Sequence, residues 1–263
     1  MNRVISFSSG KGGVGKSTLV CNLGLWLAAQ GKKVLLIDGD WALGKLSIML
    51  GVRPEWTIEQ VLRGEIPLHK AIDSVRENLD LLASPSGLIG FEELNEATRN
   101  QLYFELEQLE SRYDYILLDH GSGVHWNVIQ FAAASHQHVI VTTPEPTSFT
   151  DAYAIMKILS RRFDVRDFSL VVTMSQNELQ TSKTIERYTE VVERHLNVRL
   201  RMLETFSWES VVGDSIRRRQ PLMESFPSSS FAKRIPDLAN QLEAQELRPH
   251  GGLNFFQTVR ANR

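Results

Sequence analysis

One stretch of eight residues places the strongest limit on the fold. Residues 10–17 read Gly-Lys-Gly-Gly-Val-Gly-Lys-Ser and satisfy G-x-x-x-x-G-K-[ST], the pattern of a phosphate-binding loop between a strand and a helix. Residues 3–8 predict the strand, and residues 16–30 predict the helix. Glycines let backbone N–H groups surround a phosphate, and the helix N-terminus adds partial positive charge. The sequence therefore favours a nucleotide site over a glycine-rich turn without a ligand.

The loop and the first helical residues supply the predicted nucleotide contacts. These are Gly10, Lys11, Gly12, Gly13, Val14, Gly15, Lys16, Ser17 and Thr18. Lys16 would hold the β- and γ-phosphates, and the Ser17 hydroxyl would bind Mg²⁺. One lysine is enough to hold a nucleotide. Lys11 is therefore either a solvated turn residue or a positive charge presented to the phosphates of a second subunit.

The second lysine makes the loop resemble K-G-G-x-G-K-[ST], the signature of the deviant Walker A ATPases. That family includes MinD, the ParA partition ATPases and the flagellar-number regulators called FlhG or FleN. The resemblance implies that two subunits enclose ATP and that each contributes Lys11 to the other's nucleotide. It also implies slow, dimerisation-dependent ATP hydrolysis with Mg²⁺, by a homodimer that forms with ATP.

Two apolar runs carry carboxylates to one expected edge of the fold. Residues 33–38 and 115–119 are typical of strands buried in a parallel sheet, and ligands of such sheets bind at the carboxyl edge. Asp38 and Asp119 are predicted to act on Mg²⁺, and Asp40 is predicted to position the attacking water. Asp38 and Asp40 are alternatively turn-forming residues. Residues 38–51 also resemble the D-x-D…L-G segment of MinD and FlhG.

The residues after Asp119 predict a loop near the γ-phosphate. Gly123 is expected to donate its N–H to that phosphate and so to distinguish ATP from ADP. His120 is a candidate general base, although a histidine beside a phosphate is more often a loop or interface residue. The other nearby histidines lack the spacing of a metal cage.

Two segments indicate the FlhG type within the family. Residues 144–153 (Pro-Glu-Pro-Thr-Ser-Phe-Thr-Asp-Ala-Tyr) resemble its P-E-P-T-[SA]-x-T-D-A-Y run, and residues 211–235 resemble another of its stretches. Ser148 and Asp151 have capping-box spacing, which predicts a helix over 149–163. The FlhG resemblance implies control of flagellar number or placement. The same resemblance implies that the GTPase FlhF and flagellar basal-body or regulatory proteins are partners.

The adenine contacts are less well marked. Asn177, after a predicted strand at 168–174, is the candidate, although Thr173 stands where FlhG relatives often carry Asn. The family element G-x-[IV]-P-x-D appears at 204–209 as Glu-Thr-Phe-Ser-Trp-Glu, without its Gly and Pro. The phosphate contacts do not depend on these positions.

The net charge of −2, from 29 Lys and Arg against 31 Asp and Glu, argues against bulk electrostatic binding to nucleic acid. Arg217, Arg218 and Arg219 are either a solvated helix end or a patch for DNA or lipid. Cys21 is predicted to be a core residue, and no signal peptide or membrane-spanning run is found. A cytoplasmic protein is therefore expected, and the resemblance to MinD and FlhG implies peripheral association at the inner face of the cell membrane.

The tail, residues 248–263, carries apolar residues within one arc of a helical projection: Leu253, Phe255, Phe256 and Val259. It predicts a helix that binds an anionic membrane surface. Docking on its own domain is the alternative.

The alternating pattern predicts one α/β ATPase domain over residues 1–247, a P-loop NTPase with a mostly parallel twisted sheet flanked by helices on both faces. Three rival functions remain at this point. They are a MinD-like division-site regulator, a nucleotide-binding scaffold without turnover, and a ParA-type DNA-partition ATPase. The last would use a basic face formed by Arg161, Arg162 and Arg217–Arg219.

Overall fold

A parallel sheet is built around the strand that precedes the phosphate loop. The computed structural model describes residues 2–40, 44–84 and 96–247. Eight strands of these ranges form one sheet in the order β3-β4-β2-β5-β1-β6-β7-β8. They are β1 (Arg3–Ser9), β2 (Val34–Gly39), β3 (Ile72–Arg76), β4 (Leu79–Leu82), β5 (Tyr115–Ser122), β6 (Gln137–Thr142), β7 (Asp167–Ser175) and β8 (Arg199–Ser207).

All neighbouring strands run parallel except β3 and β4, which pair antiparallel. The helices of the described ranges are α1 (Lys16–Ala29), α2 (Leu46–Leu50), α3 (Ile58–Leu62), α4 (Glu96–Leu109), α5 (Trp126–Ala134), α6 (Pro146–Phe163), α7 (Glu178–Leu196), α8 (Ser210–Arg218), α9 (Leu222–Ser225) and α10 (Ser230–Glu243). The predicted P-loop NTPase fold class is confirmed.

The helices cover both faces of the sheet because side chains alternate along each buried strand. In β5, Tyr115 and Leu117 pack in the core that contains α1, α2 and α10. Ile116 and Leu118 point the other way, into the core under α4 and α5. Farther along that second face, α6 and α7 cover β6 and β7. Apolar runs without polar interruption are therefore what these central strands require.

Two elements of the sheet and its helices were not predicted from the sequence. The edge strand β3 was not predicted, because its half-buried residues Ile-Asp-Ser-Val-Arg lack a continuous apolar run. The helix α5 was not predicted either.

The capping prediction for the 144–153 run is wrong. Helix α6 begins at Pro146, and Ser148 lies inside it. Proline suits the first helical position, since the N–H that it lacks would have no partner there. The Ser148 hydroxyl turns back to the end of β6, where it accepts from Thr143 N at 3.1 Å and bonds Thr142 Oγ1 at 2.8 Å. Its role is to fix the strand-to-helix turn.

The tail prediction falls outside the described residues. The residues outside the described ranges include the four apolar tail positions, Leu253, Phe255, Phe256 and Val259. In the described ranges, no helix combines the length and the apolar character needed to cross a bilayer. Cys21 is buried in α1, as predicted.

Candidate nucleotide site

The predicted phosphate and metal residues converge at the carboxyl edge of the sheet. The loop leaves the end of β1, and the flanking strand β5 places Asp119 opposite Phe7. On the other side of β5, Asp38 of β2 is the register partner of Asp119. The strand order thus brings together three segments that are far apart in the chain, around the N-terminus of α1.

Glycine geometry shapes the loop itself. Gly13 has φ 79° and Gly15 has φ 82°, both in the left-handed region that costs a residue with a β-carbon extra energy. Gly10 is required for a different reason. A β-carbon there would lie 2.2 Å from Asp151 Cβ and 2.4 Å from the Asp151 carbonyl carbon, so α6 passes directly over the loop.

A buried threonine anchors the loop from the other side. Thr173 Oγ1 lies 2.6 Å from Val14 O and 3.1 Å from Thr142 O. The sequence marked Thr173 only as a position where related chains often carry Asn. Its hydroxyl instead links β7 to the middle of the phosphate loop, a role that required knowledge of the strand order.

Lys16 and Asp119 form a buried ion pair. Lys16 Nζ lies 2.5 Å from Asp119 Oδ1 and also donates to the carbonyl of His120. Asp119 Oδ2 is buried and has no hydrogen-bond partner in the described part of the chain. That oxygen and the hydroxyl of Ser17, in the first turn of α1, are hard donors of the kind that Mg²⁺ prefers. The residues present therefore fit a magnesium ion.

Asp38 is committed to backbone contacts. Its carboxylate accepts from the N–H groups of Asp40 at 3.1 Å, Lys45 at 2.7 Å and Leu46 at 3.0 Å. Burial, with the charge of Asp119 added, raises the pKa of Asp38 to about 7. Asp38 thus fixes the chain between β2 and α2, and the turn-forming role left open above applies to it. Its proposed action on Mg²⁺ stays a prediction.

Asp40 lies at the same edge, paired with a lysine that the sequence did not single out. Lys45 Nζ lies 2.9 Å from Asp40 Oδ2. Gly121, just after the buried part of β5, lies against Asp40, and its β-carbon position would be 3.6 Å from Asp40 Oδ1. Asp40 therefore borders the loop expected to meet the γ-phosphate.

Lys11 extends away from the nucleotide loop and contacts the start of α6. Its Nζ lies 2.5 Å from Glu145 Oε2, and the two side chains are 45% and 60% exposed. Exposed pairs of this kind contribute at most about 1 kcal/mol. Lys11 is therefore accessible and only weakly held by its own chain.

Gly123 and His120 differ from their predicted roles. The Gly123 N–H donates to Ser9 O at 2.9 Å, so a bond to a γ-phosphate would require this loop to rearrange. His120 is fully buried beside Phe131. Burial, assisted by the charges of Lys16 and His138, lowers its pKa to about 3. At neutral pH it is an uncharged core residue with little affinity for a proton, which argues against a general base.

Asn177 caps a helix. It is the N-cap of α7, and its side-chain oxygen accepts from Gln180 N at 2.9 Å. Glu209, at the end of the altered G-x-[IV]-P-x-D element, accepts from Ser230 N and Phe231 N and so caps α10. The side chains of Asn177 and Glu209 thus both stabilise helix N-termini. The adenine contact of Asn177 remains a prediction.

The arginines of the partition hypothesis are separated in the fold. Arg161 and Arg162 end α6, on the face shared with α7. Arg217 and Arg218 form the end of α8 and Arg219 is its C-cap, and Val211 and Val212 of the same helix pack against the opposite core. Arg217 pairs with Asp214, and the Arg218 guanidinium carbon lies 5.1 Å from the ring centre of Phe226. Helices on opposite faces of the sheet thus carry the two groups.

Known proteins resemble both the sequence and this fold. The family described as AAA domain matches residues 2–165. The antiactivator FleN of Pseudomonas aeruginosa is 27% identical over 97% of this chain and 91% of its own length. The flagellum site-determining protein YlxH of Helicobacter pylori is 32% identical, over 98% and 89%.

A solved structure of MinD with Mg-ADP from Pyrococcus horikoshii superimposes with a TM-score of 0.74 at 26% identity, covering 93% of this chain and 97% of that one. Family match, near full-length relatives and fold agree with the loop geometry described above. The chain belongs to the AAA-domain family and, within it, to the MinD/ParA-type deviant Walker A ATPases of the FlhG (FleN) kind.

Proposed function

We propose that this protein is an ATP-dependent dimerising switch that regulates flagellar number or placement at the cell membrane. The observation that carries the proposal is the pair of lysines in one loop: Lys16 is buried against Asp119, whereas Lys11 is exposed. A buried and an exposed lysine suit contacts to two different nucleotides. The process is that of the flagellum site-determining protein YlxH, which matches nearly the whole chain.

The chain is an ATP-hydrolysing P-loop NTPase by its family membership. In the proposed cycle, Lys16 would leave Asp119 to contact the phosphates of ATP. Ser17 and Asp119 would then hold Mg²⁺, whose charge would replace the lost counter-charge beside Asp119. Bound Mg²⁺ would neutralise charge on the phosphates. Each buried charge then keeps an opposite charge beside it, which a buried site requires. Two protomers close across the nucleotides, and hydrolysis separates them.

The proposed cellular role predicts a specific phenotype. Deleting the gene should increase or misplace flagella while septa stay at midcell, because the switch acts on flagellar assembly. The measurement is a count of flagella and minicells by electron microscopy, with complementation by the wild-type chain and by Lys16→Met as the inactive control. Minicells with normal flagellation would instead assign a MinD-like division role.

FlhF and basal-body proteins are the proposed partners.

We also propose that the tail brings the ATP-bound dimer to an anionic membrane. Two tails per dimer would bind far more tightly than one, since linked sites act at high effective concentration. Sedimentation with anionic liposomes should therefore recover the full chain with ATP but not with ADP, and should not recover a chain ending at residue 247. Equal recovery of both chains with ATP would rule out the tail as the anchor.

A further inference from the structure

Lys45 contacts the two carboxylates at the carboxyl end of β2, Asp38 within the strand and Asp40 just after it. Its backbone N–H donates to Asp38 Oδ2 at 2.7 Å, and its ammonium lies 2.9 Å from Asp40 Oδ2. Lys45 is also the N-cap residue of α2, so its backbone is held in place by the start of a helix. A single residue thus ties the positions of Asp38 and Asp40 together.

The surroundings of this lysine are acidic. Burial lowers the pKa of Lys45, but the hydrogen bond and charge of Asp40, with the charges of Asp119 and Asp38, outweigh that effect and raise it. Lys45 is therefore a cation throughout the physiological range. Asp40 also lies against Gly121, in the segment that follows Asp119.

In the proposed cycle, the negative charge of Asp40 is repelled by the γ-phosphate. To position a water for attack, Asp40 must approach the γ-phosphate, and two negative groups repel each other strongly in a site that excludes water. A fixed ammonium bonded to the carboxylate offsets that repulsion. It also limits the orientations that the carboxylate can adopt, which matters because small misplacements of reacting groups lower rates steeply.

We propose that Lys45 is a positioning residue for ATP hydrolysis, one that holds Asp40 close to the γ-phosphate through their ion pair. The inference rests on the proposed function, because it takes Asp40 as the residue that positions the water. Lys45 itself acts only through Asp40. Nothing in this role requires Lys45 to contribute to nucleotide affinity.

The test is ATP turnover by the full-length Lys45→Met variant, which keeps the backbone bond to Asp38 and removes only the ammonium. We expect kcat to fall about tenfold to a hundredfold with the affinity for ATP unchanged. Lys45→Arg should recover most of the loss. Lys32→Met is the matched control, since Lys32 is 43% exposed and faces Glu243 at 3.9 Å, whereas Lys45 is 46% exposed. Its turnover should equal that of the wild type.

A double-mutant cycle separates the pair from a general effect on folding. On an Asp40→Ala background, Lys45→Met should cause no further loss of turnover, because the group that it positions is gone. A full additional loss there, or wild-type kcat in Lys45→Met alone, would overturn the inference. Absence of ATP hydrolysis by the wild-type chain would count against the proposed function instead, and the two failures are therefore distinguishable.

Discussion

Replacing Lys11 by alanine is expected to abolish ATP-dependent dimerisation while nucleotide binding is retained. Lys11 lies in the phosphate loop, but its ammonium points to Glu145 and is exposed, so it contributes little to the nucleotide of its own chain. In a closed dimer it would meet the partner's phosphates in a site without water. Losing one member of a buried charge pair costs several kcal/mol at an interface, so the dimer should weaken about a hundredfold or more.

The measurement is multi-angle light scattering with ATP on the Asp40→Ala background, where slow hydrolysis preserves the ATP form. A fluorescent ATP analogue reports binding to the same samples. Glu145→Gln is the matched control, because it removes the negative charge of the intramolecular partner of Lys11 and leaves the lysine in place. That variant should still form dimers. If Lys11→Ala formed dimers at the same protein concentrations as the chain with Lys11, a contact of Lys11 with the partner's nucleotide would be refuted.

Replacing Asp40 by alanine is expected to trap the ATP-bound dimer. Asp40 borders Gly121 at the carboxyl edge, is held by Lys45 and lies two residues beyond Asp38. Removing a group that positions or activates the attacking water lowers the rate about a hundredfold or more, whereas binding of the phosphates uses other residues. Dimers should therefore accumulate with ATP and persist.

Phosphate release measures the rate of ATP hydrolysis, and light scattering on the same sample measures the fraction of dimer. Glu59→Ala provides the control, since Glu59 of α3 is another partly exposed carboxylate in an ion pair, with Arg63 at the C-cap of that helix. It should hydrolyse ATP at the wild-type rate. Unchanged turnover by Asp40→Ala would exclude Asp40 from the chemical step, and the positioning role of Lys45 would then be excluded with it.

Signals that lie within a few consecutive residues proved readable. The phosphate loop, the strands that deliver Asp38 and Asp119, and the helix α1 were all predicted close to their observed positions. Each depends on a short pattern: glycines at fixed spacing, an unbroken apolar run, or a helical period. The errors fell where the signal was ambiguous. Ser148 and Asp151 satisfied a capping pattern by spacing, but Pro146 had already begun the helix.

What the residues determined by themselves is the fold class, the loop and the identity of its charged groups, because those patterns are local and their chemistry is specific. Only the tertiary structure decided how these groups pair. Lys11 with Glu145 and Thr173 with Val14 join residues that are 134 and 159 positions apart. Such contacts depend on the strand order and on where each strand ends, and neither is encoded by spacing along the chain. For the same reason His120 became a buried neutral residue and Lys45 the partner of Asp40.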